Sequence, residues 1–380
     1  MKIYTDQFLR EKILEISEQS FLRILEQKPE WYECFAIPKK DGMRGICALK
    51  DSEAGKMVKK MQKNLLNRFL RRIPIAVSAK GFVREESYQS FLEPHAGNCY
   101  FMRLDIHDFF GSFTPELIRQ GLEEFVTDRK ALDRIYELCT WNDALPQGAV
   151  TSPALSNILF RRVDQRIIKY CQIIAERSVK NRRRKYDSGE NKASRAIQGN
   201  LCYTRYADDM LFSSDFFDFS IEKNFIRMIS RILQDSGFEL NRSKTVISER
   251  QIALNGYMAG DSVWLSRKKL RNLKRVLYFF GVLKKADSVE YGVDGEKVRE
   301  SFNSIKSMKT FLKENHYNGK DINSVTDLVN YLGGCRSWLI ALLRMESVNG
   351  RTRRQWRNLK ERTESLLLEI SKQEEQRKRE

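Results

Sequence analysis

Every proline in this chain lies at or before position 153, so the last 227 of its 380 residues (380 − 153) contain none. Proline lacks a backbone donor, and its ring clashes with the carbonyl four residues back, so it breaks helices more reliably than any other residue. Its absence permits long uninterrupted helices, and Ser266–Lys285, Lys297–Asn315, Ser324–Met345 and Arg351–Lys372 read as such. The proline-bearing part is mixed. Phe8, Ile13, Ile16, Leu22 and Leu25 recur at helical spacing over Asp6–Gln27. Trp31–Ile37 and Met43–Leu49 read as strands joined around Asp41-Gly42, a strong hairpin turn. Ser52–Arg72 is predicted helical and basic on one face, and Pro115–Thr127 starts with Pro behind a Thr114 cap. Ser152–Glu176 begins Ser-Pro and reads as one long helix. The fold class is therefore α+β.

Within Leu201–Ser214, Asp208 and Asp209 sit at the tip of a predicted tight hairpin. Its flanks, Leu201-Cys202-Tyr203-Thr204 and Met210-Leu211-Phe212, are apolar, aromatic or β-branched, as strands require. Taken alone, two acids in a turn read most simply as a solvated turn. Far upstream, however, the strand-like run Tyr100-Phe101-Met102-Arg103-Leu104 ends on Asp105. Two strands that each end in a carboxylate can lie side by side in one sheet. Their acids then converge on hard divalent cations, and a metal pair serves in-line displacement at phosphorus.

Five blocks in order now resemble the reverse transcriptase family. Phe35-Ala36-Ile37-Pro38-Lys39-Lys40-Asp41-Gly42-Met43-Arg44 is similar to its fingers hairpin, and Leu104-Asp105-Ile106-His107-Asp108-Phe109-Phe110 to its first palm motif. Leu145-Pro146-Gln147-Gly148-Ala149-Val150-Thr151-Ser152-Pro153 resembles the "PQG…SP" motif. Tyr206-Ala207-Asp208-Asp209 resembles the catalytic hairpin, and Phe238-Glu239-Leu240-Asn241-Arg242-Ser243-Lys244-Thr245 the next palm motif. Gly81-Phe82-Val83, Asp108-Phe109-Phe110 and the hairpin itself resemble the bacterial retron type. The chain departs from that type in Phe91–His95, where only the His of Asn-Ala-x-x-His is kept, and in Leu254-Asn255-Gly256 in place of Val-Thr-Gly.

The resemblance implies a right-hand polymerase. Residues 1–104 would form an N-terminal helix and fingers, 105–260 the palm, 261–350 a mainly helical thumb, and 351–380 a basic C-terminal helix and tail. A basic segment at 177–198, with Arg182, Arg183 and Arg184, is expected to loop out as a solvated insertion or a phosphate contact. Two Mg²⁺ ions, with Mn²⁺ as a substitute, are implied on Asp105, Asp208 and the Ile106 carbonyl, with Asp209 as a further ligand or a source of charge alone. In the family, the position of Phe110 packs beneath the nucleotide sugar and excludes a 2′-hydroxyl. Arg44 and one of Lys39 and Lys40 are implied on the triphosphate, Gln147 at the sugar or template base, and Lys244 at the leaving pyrophosphate. Gly256 resembles the primer-gripping turn. Arg353, Arg354 and Trp356 form a basic segment whose indole either stacks on a base or docks on the thumb.

A formal net charge of +18 calls for a polyanionic partner. The expected partners are a structured non-coding RNA as template and primer, its RNA–DNA product, deoxynucleotides, and an effector protein encoded nearby. The function implied is copying part of that RNA into a short DNA that stays joined to it, in anti-phage defence. The alternative is another bacterial defence reverse transcriptase that makes DNA without a retron RNA. Seven cysteines without a C-x-x-C pair argue against zinc and against a disulfide framework, and for a reducing cytoplasm. Met1–Arg10 lacks the apolar core of a signal peptide, and no apolar run approaches membrane-spanning length.

Overall fold

A computed structural model describes residues 1–39, 42–187, 200–289, 322 and 324–379. The chain divides into two compact units, Met1–Glu249 and Arg250–Glu380.

The first unit is α+β. Strands β1 (Tyr32–Lys39) and β2 (Gly42–Leu49) form an antiparallel hairpin with Lys39 opposite Gly42. Cys34 and Cys47 fall opposite each other in this register and form a disulfide with Cα atoms 4.1 Å apart. The sequence reading against a disulfide framework missed this one bond: the 13-residue spacing carries no motif, and only the hairpin register brings the two sulfurs together. The central antiparallel sheet runs β4-β5-β3-β6, with β3 Tyr100–Asp105, β4 Leu201–Tyr206, β5 Asp209–Ser214 and β6 Val246–Glu249. All of β5 is buried, so it has no polar-out alternation.

Helices cover this sheet, and most start where a side-chain oxygen caps the first turn. Ser17 caps α1 (Glu18–Glu26), Ser52 caps α2 (Glu53–Arg68), Ser87 caps α3 (Tyr88–Leu92) and Thr114 caps α4 (Pro115–Glu123). The helix expected over Asp6–Gln27 breaks in two, because Glu15 takes a left-handed φ of 60° before the Ser17 cap. Asp128 caps α5 (Arg129–Cys139). Helix α6 runs 36 residues, Ser152–Asp187. The segment expected to loop out from Arg177 therefore continues as helix through Asp187, since nothing in it interrupts the backbone ladder, and 188–199 lie outside the described residues. Helix α7 (Lys223–Gln234) closes the layer. Phe109, Phe113, Phe160 and Phe238 meet at centroid distances of 4.9 to 6.2 Å and join α6 to the segment after β3.

The second unit opens with a three-stranded sheet, β7 (Ile252–Leu254), β8 (Tyr257–Ala259) and β9 (Val263–Leu265). Helices α8 (Arg267–Val289), α9 (Val325–Arg344) and α10 (Gly350–Arg379) follow, in keeping with the missing prolines. The helix expected over Lys297–Asn315 lies outside the described residues. Among the described residues no helix is long and apolar enough to cross a membrane.

Candidate active site

Sheet register brings the acids together. Asp105 ends β3 directly opposite Asp209, the first residue of β5. Asp208 occupies the turn after Ala207, whose φ of 57° is left-handed. The Ile106 N–H donates to the Asp208 carbonyl at 3.1 Å, which ties the turn to the end of β3.

Two of the three carboxylates carry a cation. Lys244 Nζ lies 3.0 and 2.9 Å from the two oxygens of Asp105. Arg103 donates to Asp209 Oδ1 through Nε at 2.8 Å and Nη2 at 2.5 Å. Burial pushes the Asp208 carboxyl above its ordinary range, and the charges of Asp209 and Asp105 push it further. Burial also raises Asp209, against the opposing pull of Arg103. An all-oxygen donor set under mutual repulsion suits a hard divalent cation. As arranged, no three acidic, His or Cys side chains among the described residues form a ready cage. Lys244 and Arg103 instead hold oxygens of Asp105 and Asp209 that an ion would take, so the donors fit the metal once these cations yield.

Under the turn lies a network that sequence reading missed. Arg205 and Asp164 are both 0% exposed and paired twice, Nε to Oδ1 at 3.0 Å and Nη2 to Oδ2 at 2.8 Å. Arg205 also donates to Asn157 Oδ1 at 3.1 Å and, through Nη1, to the Ala207 carbonyl at 3.0 Å. The Tyr203 hydroxyl completes the shell of Asp164 at 2.7 Å. The guanidinium lies over the Phe160 ring at 4.5 Å. Helix α6 thus props the acidic turn from beneath. The only signal was an arginine within the otherwise uncharged strand β4, since Asp164 is one of many charges along α6.

Around this centre, Phe110 is half-buried, with Phe109 and Phe82 as ring neighbours. The Gln147 carbonyl accepts from the Cys47 N–H at 3.1 Å. Gly148 has a φ of 137°, and a Cβ there would stand 2.7 Å from the Cys47 carbonyl oxygen. Its close approach is therefore to β2 of the hairpin, which seats against the Gln147 turn. Lys39 and Arg44 lie on that hairpin near its turn, and Lys40 lies outside the described residues. A cavity of about 1000 Å³ is lined by Arg71, Arg72, Phe82, Arg84, Val150 and Asn157, among others.

Other expected residues fall elsewhere. Arg182, Arg183 and Arg184 lie on the last turns of α6. Gly256, at a φ of 83°, turns between β7 and β8 in the second unit. Trp356 is 2% exposed and belongs to the core, so its ring has no face for a base; the period of α10 points it inward. Arg353 donates to the Met345 carbonyl at 2.6 Å, joining α10 to the end of α9, while Arg354 is exposed.

Comparison with known proteins places this architecture. The profile of the family described as reverse transcriptase (RNA-dependent DNA polymerase) matches residues 37–278, well over half of the chain. The chain belongs to the reverse transcriptase family. Curated proteins it resembles include several bacterial retron reverse transcriptases. It is 28% identical over 267 residues to the retron Mx65 reverse transcriptase of Myxococcus xanthus, covering 65% of this chain and 55% of that protein. It is 22% identical over 270 residues to the retron Ec86 reverse transcriptase of Escherichia coli, covering 70% and 75%. The chain thus spans little more than half the length of the first of these. Among solved structures, telomerase from Candida albicans, in complex with a TWJ fragment of telomeric RNA, aligns over 89% of this chain and 63% of its own, with 12% identity and a TM-score of 0.43.

Proposed function

We propose that this chain is an RNA-directed DNA polymerase of retron type. The carrying observation is the convergence of Asp105, Asp208 and Asp209 at one end of the central sheet. Asp105, Asp208, Asp209 and the Ile106 carbonyl would hold two Mg²⁺ ions, with Mn²⁺ as a substitute. Bound there, such ions supply Lewis acidity to an attacking 3′-hydroxyl and a leaving pyrophosphate.

The chain's own residues do the rest. Arg103 and Lys244 neutralise the acids until substrate arrives. Lys244, half-exposed, then turns to the departing pyrophosphate and neutralises it. Arg44 and one of Lys39 and Lys40 close the hairpin over the triphosphate. Phe110 lies under the sugar and excludes a 2′-hydroxyl, and Gln147 meets the sugar or template base. The arginine-lined cavity takes the unpaired template. Arg182 to Arg184 in the first unit, and separately Gly256 and Arg354 in the second, are nucleic-acid contacts.

The substrate is a structured non-coding RNA, part of which is copied into a short DNA that stays joined to RNA. The product serves anti-phage defence with an effector encoded nearby. The work is done in the cytoplasm, where RNA and deoxynucleotides meet; the Cys34–Cys47 disulfide removes the cysteine argument for that compartment. The test is to purify the native protein and sequence the nucleic acid bound to it. RNA covalently joined to DNA is expected, and free DNA of simple repeat sequence would overturn the retron reading. Asp208→Asn with Asp209→Asn should abolish deoxynucleotide addition, and retained addition would overturn the polymerase site.

A further inference from the structure

Residues 78–84 form a strap across the catalytic turn. The Arg205 N–H donates to the Ser78 carbonyl at 2.7 Å, and the Lys80 N–H donates to the Arg205 carbonyl at 2.8 Å. Asn157 Nδ2 holds the Gly81 carbonyl at 2.8 Å. A Cβ at Gly81 would stand 2.8 Å from the Ala207 nitrogen, so only glycine lets the strap lie this close. The next residue, Phe82, has a φ of 63°, a conformation that costs a bulky L-residue about 1 kcal/mol. The residue is 48% exposed. A large apolar residue, exposed and in a costly backbone conformation, is over-determined by its surroundings.

What those surroundings secure is a contact. The Phe82 ring meets Phe110 at 6.4 Å and 53°, and Tyr206 at 6.0 Å and 44°. Tyr206 is itself held by Tyr88 at 5.1 Å and Phe91 at 6.0 Å. Phe82 therefore couples Phe110 to the anchored residue that precedes the catalytic turn.

We propose that Phe82 is a positioning residue that sets sugar selectivity by bracing the Phe110 ring. The inference rests on the reading above, in which Phe110 lies beneath the nucleotide sugar. A side chain is free to leave one staggered rotamer for another when nothing packs against it. Without Phe82, Phe110 keeps Phe109 but loses its tie to Tyr206, and a swung ring leaves room for a 2′-hydroxyl.

The experiment compares each deoxynucleotide with its ribonucleotide on a primed RNA template, reading the ratio of their kcat/KM values. Native chain, Phe82→Ala, Phe82→Leu, Phe82→Tyr, Phe110→Ala and the double Phe82→Ala/Phe110→Ala are measured. The preference for deoxynucleotides should fall about tenfold in Phe82→Ala, the scale of a lost apolar contact in a specificity site. It should fall less in Phe82→Leu, which guards against a misfolded Ala variant, and recover in Phe82→Tyr. In the double variant it should fall no further than in Phe110→Ala, because the two act through one ring. An unchanged ratio in both Phe82→Ala and Phe82→Leu, with DNA still made, overturns the bracing role alone. So does an equal drop in the Phe110→Ala background. Native chain that adds no deoxynucleotide, or an unchanged ratio in Phe110→Ala, overturns the parent reading and this one with it.

Discussion

His95 has no exposed surface, and both of its ring nitrogens are engaged, Nδ1 with Ser213 Oγ at 2.6 Å and Nε2 with Thr204 Oγ1 at 2.7 Å. It pins the turn after α3 to β4 and β5. Burial pulls its pKa from the ordinary 6.5 to about 3. The unfolded chain therefore takes up a proton that the folded chain refuses. Stability falls as pH drops below about 6.5, by up to ~1.4 kcal/mol per pH unit, and the loss levels off once the folded-state value is passed. Denaturant midpoints at about pH 7 and about pH 5 should separate further for the native chain than for His95→Gln. Equal separations would mean that His95 does not titrate across unfolding. This role was not legible in the sequence. A lone histidine shows no spacing, and its partners lie 109 and 118 residues away.

At the scale of the element, the acidic hairpin is held in shape by the helix beneath it. The flanks of Asp208 and Asp209 showed a hairpin from composition alone, because β-branched and aromatic runs around a tight turn have few other solutions. What holds Ala207 in its left-handed conformation is Arg205, anchored on Asp164 of α6. Breaking a buried pair strands a charge, so Asp164→Ala should cost about 3–5 kcal/mol in chemical denaturation. The double replacement Arg205→Met with Asp164→Leu removes both charges. It should regain most of that stability, yet add deoxynucleotides more slowly than the native chain because the Ala207 carbonyl has lost its donor. A double variant as unstable as Asp164→Ala would refute a stranded charge as the cause. The Cys34–Cys47 pairing belongs to the same scale: spacing says nothing until the β1–β2 register is known.

For the whole molecule, charge is the governing quantity. A net +18 over 380 residues favours binding to a polyanion through release of its counterions. Affinity for a primed RNA template should fall about a thousandfold between ~50 and ~200 mM salt, measured by fluorescence anisotropy. A flat salt response would show that phosphates do not carry the binding. The size of that charge was plain from the sequence. Which cations are free to use it was not: Arg353 is spent on the Met345 carbonyl, and Arg103 and Lys244 on acids of the candidate site.

Local chemistry determined much by itself. Proline placement set where long helices run, apolar, aromatic and β-branched runs set the strands, the Thr114 cap set one helix start, and two strand ends marked Asp105 and the Asp208–Asp209 turn. These are properties of neighbouring residues, and neighbours are what a sequence displays. Tertiary structure alone decided that Asp105 faces Asp209, that Lys244 and Arg103 hold their oxygens, that Trp356 is core, and that Phe82 reaches Phe110. Each of those depends on register or packing between segments distant along the chain, where a shift of one residue would send every side chain to the opposite face.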